Sequence, residues 1–541
     1  MALFSWRIKG GFLEIKVDPK DPWTIWCEAC TVTKVIVNLL TGAATVEVTI
    51  EAAWGTEVVS FPRGDLTHKC IPTLLDHGLS IIDAPTDVEN ILQVLLDSAD
   101  QAPKSYFHDK LGFVRLPGGQ LAYLAHNPIG ITDPLKAASV FVDEALTRPS
   151  GSLATWLSVM ENEVVGHSNM ELALALGATA PLAFLLKEAH LISLLPLWAL
   201  IGPSSTGKTV ALMAMGSIYS APEEGSGIVG DFLSTQSAIY AKLGACNGLP
   251  AIFDEASAVP DWDVTPLLYN LPKGREKLRC DSTGALRKAN SFSTSVIVSG
   301  ERSLFDQTAR TPGLFARLVE FTLPWTDSDG HAQRLERGCR QNYATAVMPL
   351  TGYLLEHKDD VILRFQEIEA DLKADFPNAT GIENRLFEKY AIILLAAEVI
   401  KASLGLQLDT DGIRQLLLEL HTSRTELLDI PNRAFEGIQT WILRNKDRFP
   451  PAKAVSIASN IWGEQGKCQG EPCIWIISQH FIDTLQKVGV TDTTTTLREF
   501  HRRGWIRKFG DRYCVRHKIA GLSVYCYCLR VSVATAFGSA I

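Results

Sequence analysis

The run Gly202-Pro203-Ser204-Ser205-Thr206-Gly207-Lys208-Thr209 has the G-x-x-x-x-G-K-T spacing of a phosphate-binding loop. The glycines let the backbone wrap an oligophosphate with its N–H groups turned inward at the start of a helix. Lys208 would reach the β- and γ-phosphates, and the Thr209 hydroxyl would ligate Mg²⁺. Downstream, the apolar run GLPAIFDEAS closes on Asp254 and Glu255. Adjacent carboxylates ending a buried strand are costly to desolvate unless a cation or hydrogen bonds satisfy them. Asp254 is expected to hold Mg²⁺ through water and Glu255 to polarise the attacking water, which favours ATP hydrolysis over phosphoryl transfer. A Gly-rich turn without chemistry and a solvated strand end are the bland readings of either motif alone. Their joint presence weighs against both.

The elements that must position these groups are legible around them. LWALI before the loop reads as a buried strand and VALMAMGSIY after it as a helix. Strand and helix patterns alternate over residues 194–324, as in a three-layer α/β domain. Residues 6–82 alternate apolar and polar in short runs, with helices near residues 68–78 and 85–98, and LGFVRLPGGQLAYLAH reads as a hairpin turning at Pro117-Gly118-Gly119. Residues 152–189 and 333–428 read as helical, and Pro450-Pro451 punctuates a boundary. The expected domains are a mixed α+β domain over 1–150, an ATPase core over 151–330, a helical lid over 331–445 and a winged-helix module over 446–541.

At 541 residues the chain can bury several cores, and 46% hydrophobic with 21% charged residues is the balance of a folded protein. The net charge of −9 makes no whole-chain case for nucleic acid, so such a case must come from local patches. The opening residues lack the order of a signal peptide, and the most apolar stretch, 172–186, is interrupted by Gly177 and Pro181 and short for a membrane span. Eleven scattered cysteines suggest reduced thiols; a cytoplasmic protein with no membrane partner is expected. Cys27 and Cys30 make one isolated CxxC and Cys468 with Cys473 another lone pair, too few ligands for zinc. His68, His77 and His108 are spread out and suggest no metal cluster.

The succession GPSSTGKT, NGLPAIFDE, STSVIVSGE and GLFARLVEF resembles the family catalogued as domain of unknown function 927, which looks like the ring-forming MCM helicases of the AAA+ superfamily and is often carried by mobile elements and phages. The resemblance is specific over residues 202–321 and diffuse elsewhere. It implies an AAA+ fold, ATP and Mg²⁺ as cofactors, and assembly into a ring, a hexamer being expected. It gives Ser299 the sensor-1 place at a strand end, where a turn-capping serine is the alternative. Arg317 takes the place of the arginine projected into a neighbour's site; Arg310 is its rival, and a structural salt bridge the remaining reading. A guanidinium suits the charge spread over transferred phosphoryl oxygens. Arg385 takes the sensor-2 place on a lid helix, against a merely solvated arginine.

Two basic regions could meet DNA. LPKGREKLRCDSTGALRKANSF turns at Ser282-Thr283-Gly284 and carries Arg279, Arg287 and Lys288. The resemblance places there a hairpin that enters the ring channel and grips phosphates, whereas composition alone would favour a solvated loop. The C-terminal module reads helix, helix, wing, with Arg498, Arg502, Arg503, Arg507, Lys508, Arg512, Arg516 and Lys518 against Glu499 and Asp511. Winged helices also dock proteins, so this surface has two readings. The expectation is an ATP-dependent DNA helicase or translocase acting in replication of a mobile element or phage, on single-stranded or forked DNA, with a replication initiator or primase as further partner. The competing expectation is a regulatory or defence ATPase that gates a partner protein.

Overall fold

The computed structural model describes residues 4–81, 85–141, 144–223, 227–231, 236–244, 246–256, 265–276, 278, 280, 286, 289–307, 312–377, 379–428, 430–452, 460–490 and 492–530. The chain divides into two compact units, Met1–Leu417 and Leu418–Ile541.

The first unit opens with a three-stranded antiparallel sheet, β1 (Ser5–Lys9), β2 (Phe12–Lys16) and β3 (Thr24–Glu28), followed by the meander β4 (Cys30–Asn38), β5 (Ala44–Ala52) and β6 (Gly55–Pro62). Helices α1 (Ile71–Asp76) and α2 (Pro85–Gln101) lead to β7 (Lys104–His108), which joins β4 in parallel. Alternation drives this packing: Val46, Val48 and Ile50 of β5 share one fully buried cluster with Ile91, Val94 and Leu95 of α2. The hairpin β8 (Leu111–Arg115) and β9 (Leu121–Leu124) turns where Pro117-Gly118-Gly119 predicts, and α3 (Pro134–Ala137), β10 (Val140–Phe141) and α4 (Glu144–Thr147) complete the mixed α+β region.

The core begins with α5 (Leu153–Glu163) and α6 (Ser168–Glu188). Then come β11 (Leu197–Ile201), α7 (Lys208–Ser217), β12 (Val229–Asp231), α8 (Gln236–Gly244), β13 (Cys246–Asn247), β14 (Ala251–Asp254), α9 (Thr265–Asn270), β15 (Val296–Gly300), α10 (Pro312–Phe315) and β16 (Leu318–Phe321). Five of these strands form a wholly parallel sheet in the order β12-β14-β15-β11-β16, so β15 lies between the strand that feeds the Gly-rich loop and the strand that ends in the acidic pair. The strands are continuous apolar runs because helices cover the sheet.

Helix α6 runs unbroken through Gly177 and Pro181, both read in the sequence as interruptions. It is apolar all round and packs against α7 as well as α14 (below), so burial outweighs the local preferences of both residues. Gly177 has a packing reason: a Cβ there would stand 2.9 Å from the Met215 Cα, so glycine lets α6 and the loop-bearing helix α7 close on each other. Among the described residues α6 is the one helix long and apolar enough to cross a membrane, and 89% of its apolar window is buried inside the protein.

The lid helices are α11 (Asp329–Gln341), α12 (Val347–Glu356), α13 (Lys358–Asp375), α14 (Gly381–Leu404) and α15 (Thr410–Leu428). α14 starts with a capping box between Thr380 and Glu383 and ends at Gly405, whose φ of 77° closes the helix.

The second unit contains α16 (Ile430–Arg444), β17 (Gly463–Cys468), β18 (Glu471–Ile477), α17 (Ser478–Lys487), α18 (Thr493–Arg502), β19 (Cys514–Ile519) and β20 (Leu522–Leu529). Its sheet runs β17-β18-β20-β19, all antiparallel. The two helices followed by the β19–β20 wing are the winged-helix arrangement. Phe435, Ile438 and Ile442 of α16 share its core with Phe481, Leu485 and Phe500.

Candidate functional site

The Gly-rich loop lies between a fully buried strand and a helix. Ser205 and Gly207 both take left-handed backbone, at φ 65° and 81°. At Gly207 a Cβ would fall 2.5 Å from Thr326 Oγ1, so the position needs glycine both for its dihedral and for its neighbour. Two backbone bonds fix the loop to what surrounds it: Gly202 N–H to the Gly300 carbonyl at 3.1 Å and Trp325 N–H to the Thr206 carbonyl at 2.7 Å. The Ser204 hydroxyl donates to the Glu301 carboxylate. Lys208 lies across the loop, its Nζ donating to the Gly202 and Pro203 carbonyls at 2.8 and 2.7 Å. Its ammonium is thereby held where phosphate oxygens would be cradled.

Strand register brings the other groups to the same edge. Ile201 pairs with Gly300, and Phe253 with Val298, so Asp254, Ser299 and the loop share the C-terminal end of the sheet. Thr209 Oγ1 donates to Asp254 Oδ2 at 3.0 Å. Ser299 Oγ donates to Asp254 Oδ1 and accepts the Glu255 N–H at 3.1 Å. Glu255 is exposed and holds a left-handed backbone at φ 56°. That conformation costs a non-glycine residue about 1–3 kcal/mol and re-aims the side chain after the buried strand. A hydroxyl and a carboxylate oxygen side by side are hard donors of the kind Mg²⁺ takes while keeping several waters, so Thr209 and Asp254 fit that ion.

Arg317 is elsewhere. Leu318 pairs with Leu197, which puts Arg317 beside the start of β11, at the opposite end of the sheet from the loop. Five residues of strand separate the two ends, about 16 Å. Arg317 donates from Nη1 to the Gly313 carbonyl at 2.6 Å and lies over the Tyr269 ring at 4.7 Å. Its buried Nε has no hydrogen-bond partner among the described residues. Arg385 is exposed near the start of α14 and no hydrogen bond joins it to the loop among the described residues. Arg310, the alternative to Arg317, lies outside the described residues.

Arg279, Arg287 and Lys288, with the turn at Ser282-Thr283-Gly284, also lie outside the described residues. The residues on either side pair in one antiparallel register, through the bridges Arg275↔Ser291 and Cys280↔Leu286 and the 2.8 Å bond from Glu276 N–H to the Asn290 carbonyl. At the root, burial holds the Lys187 pKa below the ordinary lysine range, with nearby Arg275 lowering it further; its Nζ donates to the Lys273 carbonyl at 3.3 Å. In the winged helix the basic set divides. Arg498, Lys508, Arg512, Arg516 and Lys518 are exposed, as is Arg502, which spends two bonds of 2.9 and 2.8 Å on Glu499. Arg503 lies over the Trp505 ring at 5.1 Å. Arg507, grouped in the sequence with the phosphate-facing residues, points inward instead: it is 7% exposed and bonds Gln469 and Glu471 at 2.5 Å each.

Cys27 and Cys30 are buried thiols, with burial pushing Cys27 up to about 12 and Cys30 higher still. Sequence reasoning missed the Ser204–Glu301 bond, the Arg317–Tyr269 stack and a grouping of His167, Asp327 and His331. In each case a partner lies more than forty residues away in the chain, and the Asp327–His331 spacing alone does not reveal His167.

Comparison with solved structures finds the same architecture in "SCCmec type IV Cch - active helicase", at 22% identity and TM-score 0.73 over 99% of each chain. At that identity the likeness establishes the fold. The apo structure of the NrS-1 C-terminal region aligns at 9% identity over 72% of this chain and 91% of that one, with a TM-score of 0.20. No curated protein matches the chain. Residues 429–534 match the Cch helix turn helix domain, which coincides with the winged-helix elements. Residues 14–291, through the Gly-rich loop and the acidic pair, match the Domain of unknown function (DUF927), and the chain belongs to that family.

Proposed function

We propose that the chain is an ATP-dependent DNA helicase or translocase of MCM-like AAA+ type that works as a ring, a hexamer by preference, in replication of a mobile element. The observation that carries this reading is the hydrogen-bonded set Thr209–Asp254–Ser299–Glu255 at the sheet edge that holds Lys208. In it, Lys208 transfers its hydrogen bonds from the loop carbonyls to the β- and γ-phosphates of ATP. Thr209 and Asp254 would hold Mg²⁺, which would supply positive charge against that developing on the phosphoryl oxygens. Glu255 orients the attacking water and takes up its proton, and Ser299 keeps Glu255 in register with Asp254. Arg317 is too far along the sheet to serve its own loop, which supports a role across a subunit interface, while Arg385 would sense the nucleotide from the lid. The single-register pairing around Thr283 supports a hairpin that presents Arg279, Arg287 and Lys288 to DNA. The exposed arginines of the winged helix, with Arg502 and Arg503, would assist loading. The similarity to a structure titled an active helicase from SCCmec agrees with this.

One observation favours the alternative of a partner-gating regulatory or defence ATPase: Arg507 is internal and Arg502 is paired with Glu499, which lowers the free positive charge of the winged helix. A strand-displacement assay on forked DNA with ATP decides. Unwinding that requires ATP supports the helicase; ATPase activity insensitive to any DNA, with no displacement, supports the gate.

A further inference from the structure

Next to Thr326, which packs on Gly207 of the loop, three side chains from two segments 160 residues apart converge. His167 precedes α6, Asp327 ends the extended segment after β16, and His331 sits in the first turn of α11. One ligand-capable atom from each lies within 4.8 Å of the other two. His167 Nδ1 meets Asp327 Oδ2 at 2.6 Å, and the two imidazole rings approach to 4.4 Å at a 32° tilt.

The protonation pattern of His331 is set by its surroundings. Its Nε2 is 2.7 Å from the Glu163 carbonyl, which can only accept, so Nε2 carries the proton and Nδ1 presents a lone pair. A backbone carbonyl that fixes the far nitrogen of a histidine is the usual outer partner of a metal-bound imidazole. The Nδ1 lone pair receives only a long bond, 3.3 Å, from Asp327 N–H. His331 is 2% exposed, whereas the Asp327 side chain is 68% exposed. The cluster therefore has a buried, oriented imidazole at its base and an open side toward water.

We propose that His167, Asp327 and His331 bind a borderline first-row dication, with Zn²⁺ the best fit. Two imidazoles and one carboxylate match its preferred donors, and the open side leaves the fourth position to water. Closure is small: ligand atoms now within 4.8 Å need only draw in to surround an ion at 2.0–2.2 Å. The ion replaces the long Asp327 N–H bond at His331 Nδ1 and the His167–Asp327 hydrogen bond. Its structural effect follows from the adjacent residues. Trp325 N–H holds the Thr206 carbonyl and Thr326 packs on Gly207, so pinning Asp327 to the α5–α6 corner stiffens the back wall of the phosphate loop.

The test is direct binding by the full chain, stripped with chelator and kept in excess Mg²⁺, without nucleotide, so that the Thr209–Asp254 oxygens are not available to the probe. Co²⁺ is titrated and followed by its visible absorption, and Zn²⁺ by competition against a chelating indicator. The expected result is one equivalent bound through nitrogen and oxygen, without thiolate charge-transfer absorption, in both wild type and Lys208→Ala. Asp327→Asn and His167→Gln, both at solvent-accessible positions, should weaken that equivalent by at least about tenfold. Zn²⁺ should raise Tm for wild type and not for these variants. Lys208→Ala should weaken nucleotide binding by at least about tenfold on the proposed function, so its retention of Zn²⁺ separates this site from nucleotide binding. Equal Zn²⁺ affinity and stoichiometry in wild type, Asp327→Asn and His167→Gln would overturn the site, as would a wild type that binds none.

Discussion

The Ser299 hydroxyl donates to the Asp254 carboxylate and accepts the Glu255 amide, so one side chain ties together the two acids that close β14. On the proposed mechanism, Ser299 positions and does not itself react. Ser299→Ala should therefore lower kcat for ATP by roughly tenfold to a hundredfold, as loss of an outer partner does, with KM nearly unchanged. Ser299→Thr, which keeps the hydroxyl, should recover part of it. Steady-state ATPase kinetics on the three proteins check this, and an unaffected kcat in Ser299→Ala would reduce the residue to a turn cap.

Lys208 and Glu255 should fail differently. On the proposed function Lys208→Ala removes the ammonium that would hold the phosphates, so binding of a fluorescent ATP analogue should drop by at least about tenfold. Glu255→Gln leaves the cradle and the Thr209–Asp254 pair untouched. It should bind ATP as wild type does and hydrolyse it at less than about one hundredth of the rate. Wild-type turnover by Glu255→Gln would remove Glu255 from the role of base.

Much of this site was legible because its parts are local. The loop, its flanking strand and helix, and the acids closing β14 each lie within one short stretch whose pattern reports its environment. Burial could not be read the same way. Gly177 and Pro181 looked like interruptions of an apolar stretch, yet α6 is enclosed by α7 and α14 and runs through both. Arg507 looked like its exposed neighbours, but β18 supplies Glu471 and turns it inward. The parallel pairing of β16 with β11 placed Arg317 at the end of the sheet opposite the loop, and pairing direction is set by crossovers that no local pattern records.

Arg317 tests whether the site is shared between subunits. Held on Tyr269 and the Gly313 carbonyl, it is placed away from its own loop. Arg317→Ala and Glu255→Gln proteins should each be inactive alone. Mixed one to one, with subunit exchange verified, they should regain ATPase, because some interfaces pair an intact base with an intact arginine. Absence of recovery would mean that Arg317 is a structural residue or acts within its own chain.

Buried thiols predict a pH dependence. Burial raises Cys27, Cys339 and Cys526 from 9.0 to about 12, so the folded state keeps protons that the unfolded state loses above pH 9. The folded state then binds more protons, and stability must fall as pH rises from about 9 toward 12. Urea unfolding midpoints should thus decrease from pH 8 to pH 10. At pH 8 about one in ten thousand of each such thiol is thiolate in the folded state. Native protein should therefore react with a disulfide reagent first at exposed Cys280 and only slowly at these three.

The basic residues beyond the hairpin root separate a helicase from a gate. Arg287 and Lys288 follow the turn, and neither belongs to the loop or the acidic pair, so Arg287→Ala with Lys288→Ala should leave basal ATPase intact. If the hairpin grips phosphates, stimulation by single-stranded DNA and unwinding of a fork should fall sharply. The salt dependence of binding should flatten by roughly one to two units of log–log slope for two lost phosphate contacts. Arg502→Ala with Arg503→Ala supplies the contrast, because these residues end α18 in the second unit. Their loss should weaken DNA loading and spare unwinding by protein already loaded, which a single-turnover assay with trap DNA resolves. The pairing of Arg502 with Glu499 predicts the smaller binding loss for this pair, since part of its charge is already neutralised. A hairpin double variant that unwinds as well as wild type would exclude the channel grip. A wild type whose ATPase ignores every DNA tried, at any salt, would leave the partner-gating ATPase as the better account.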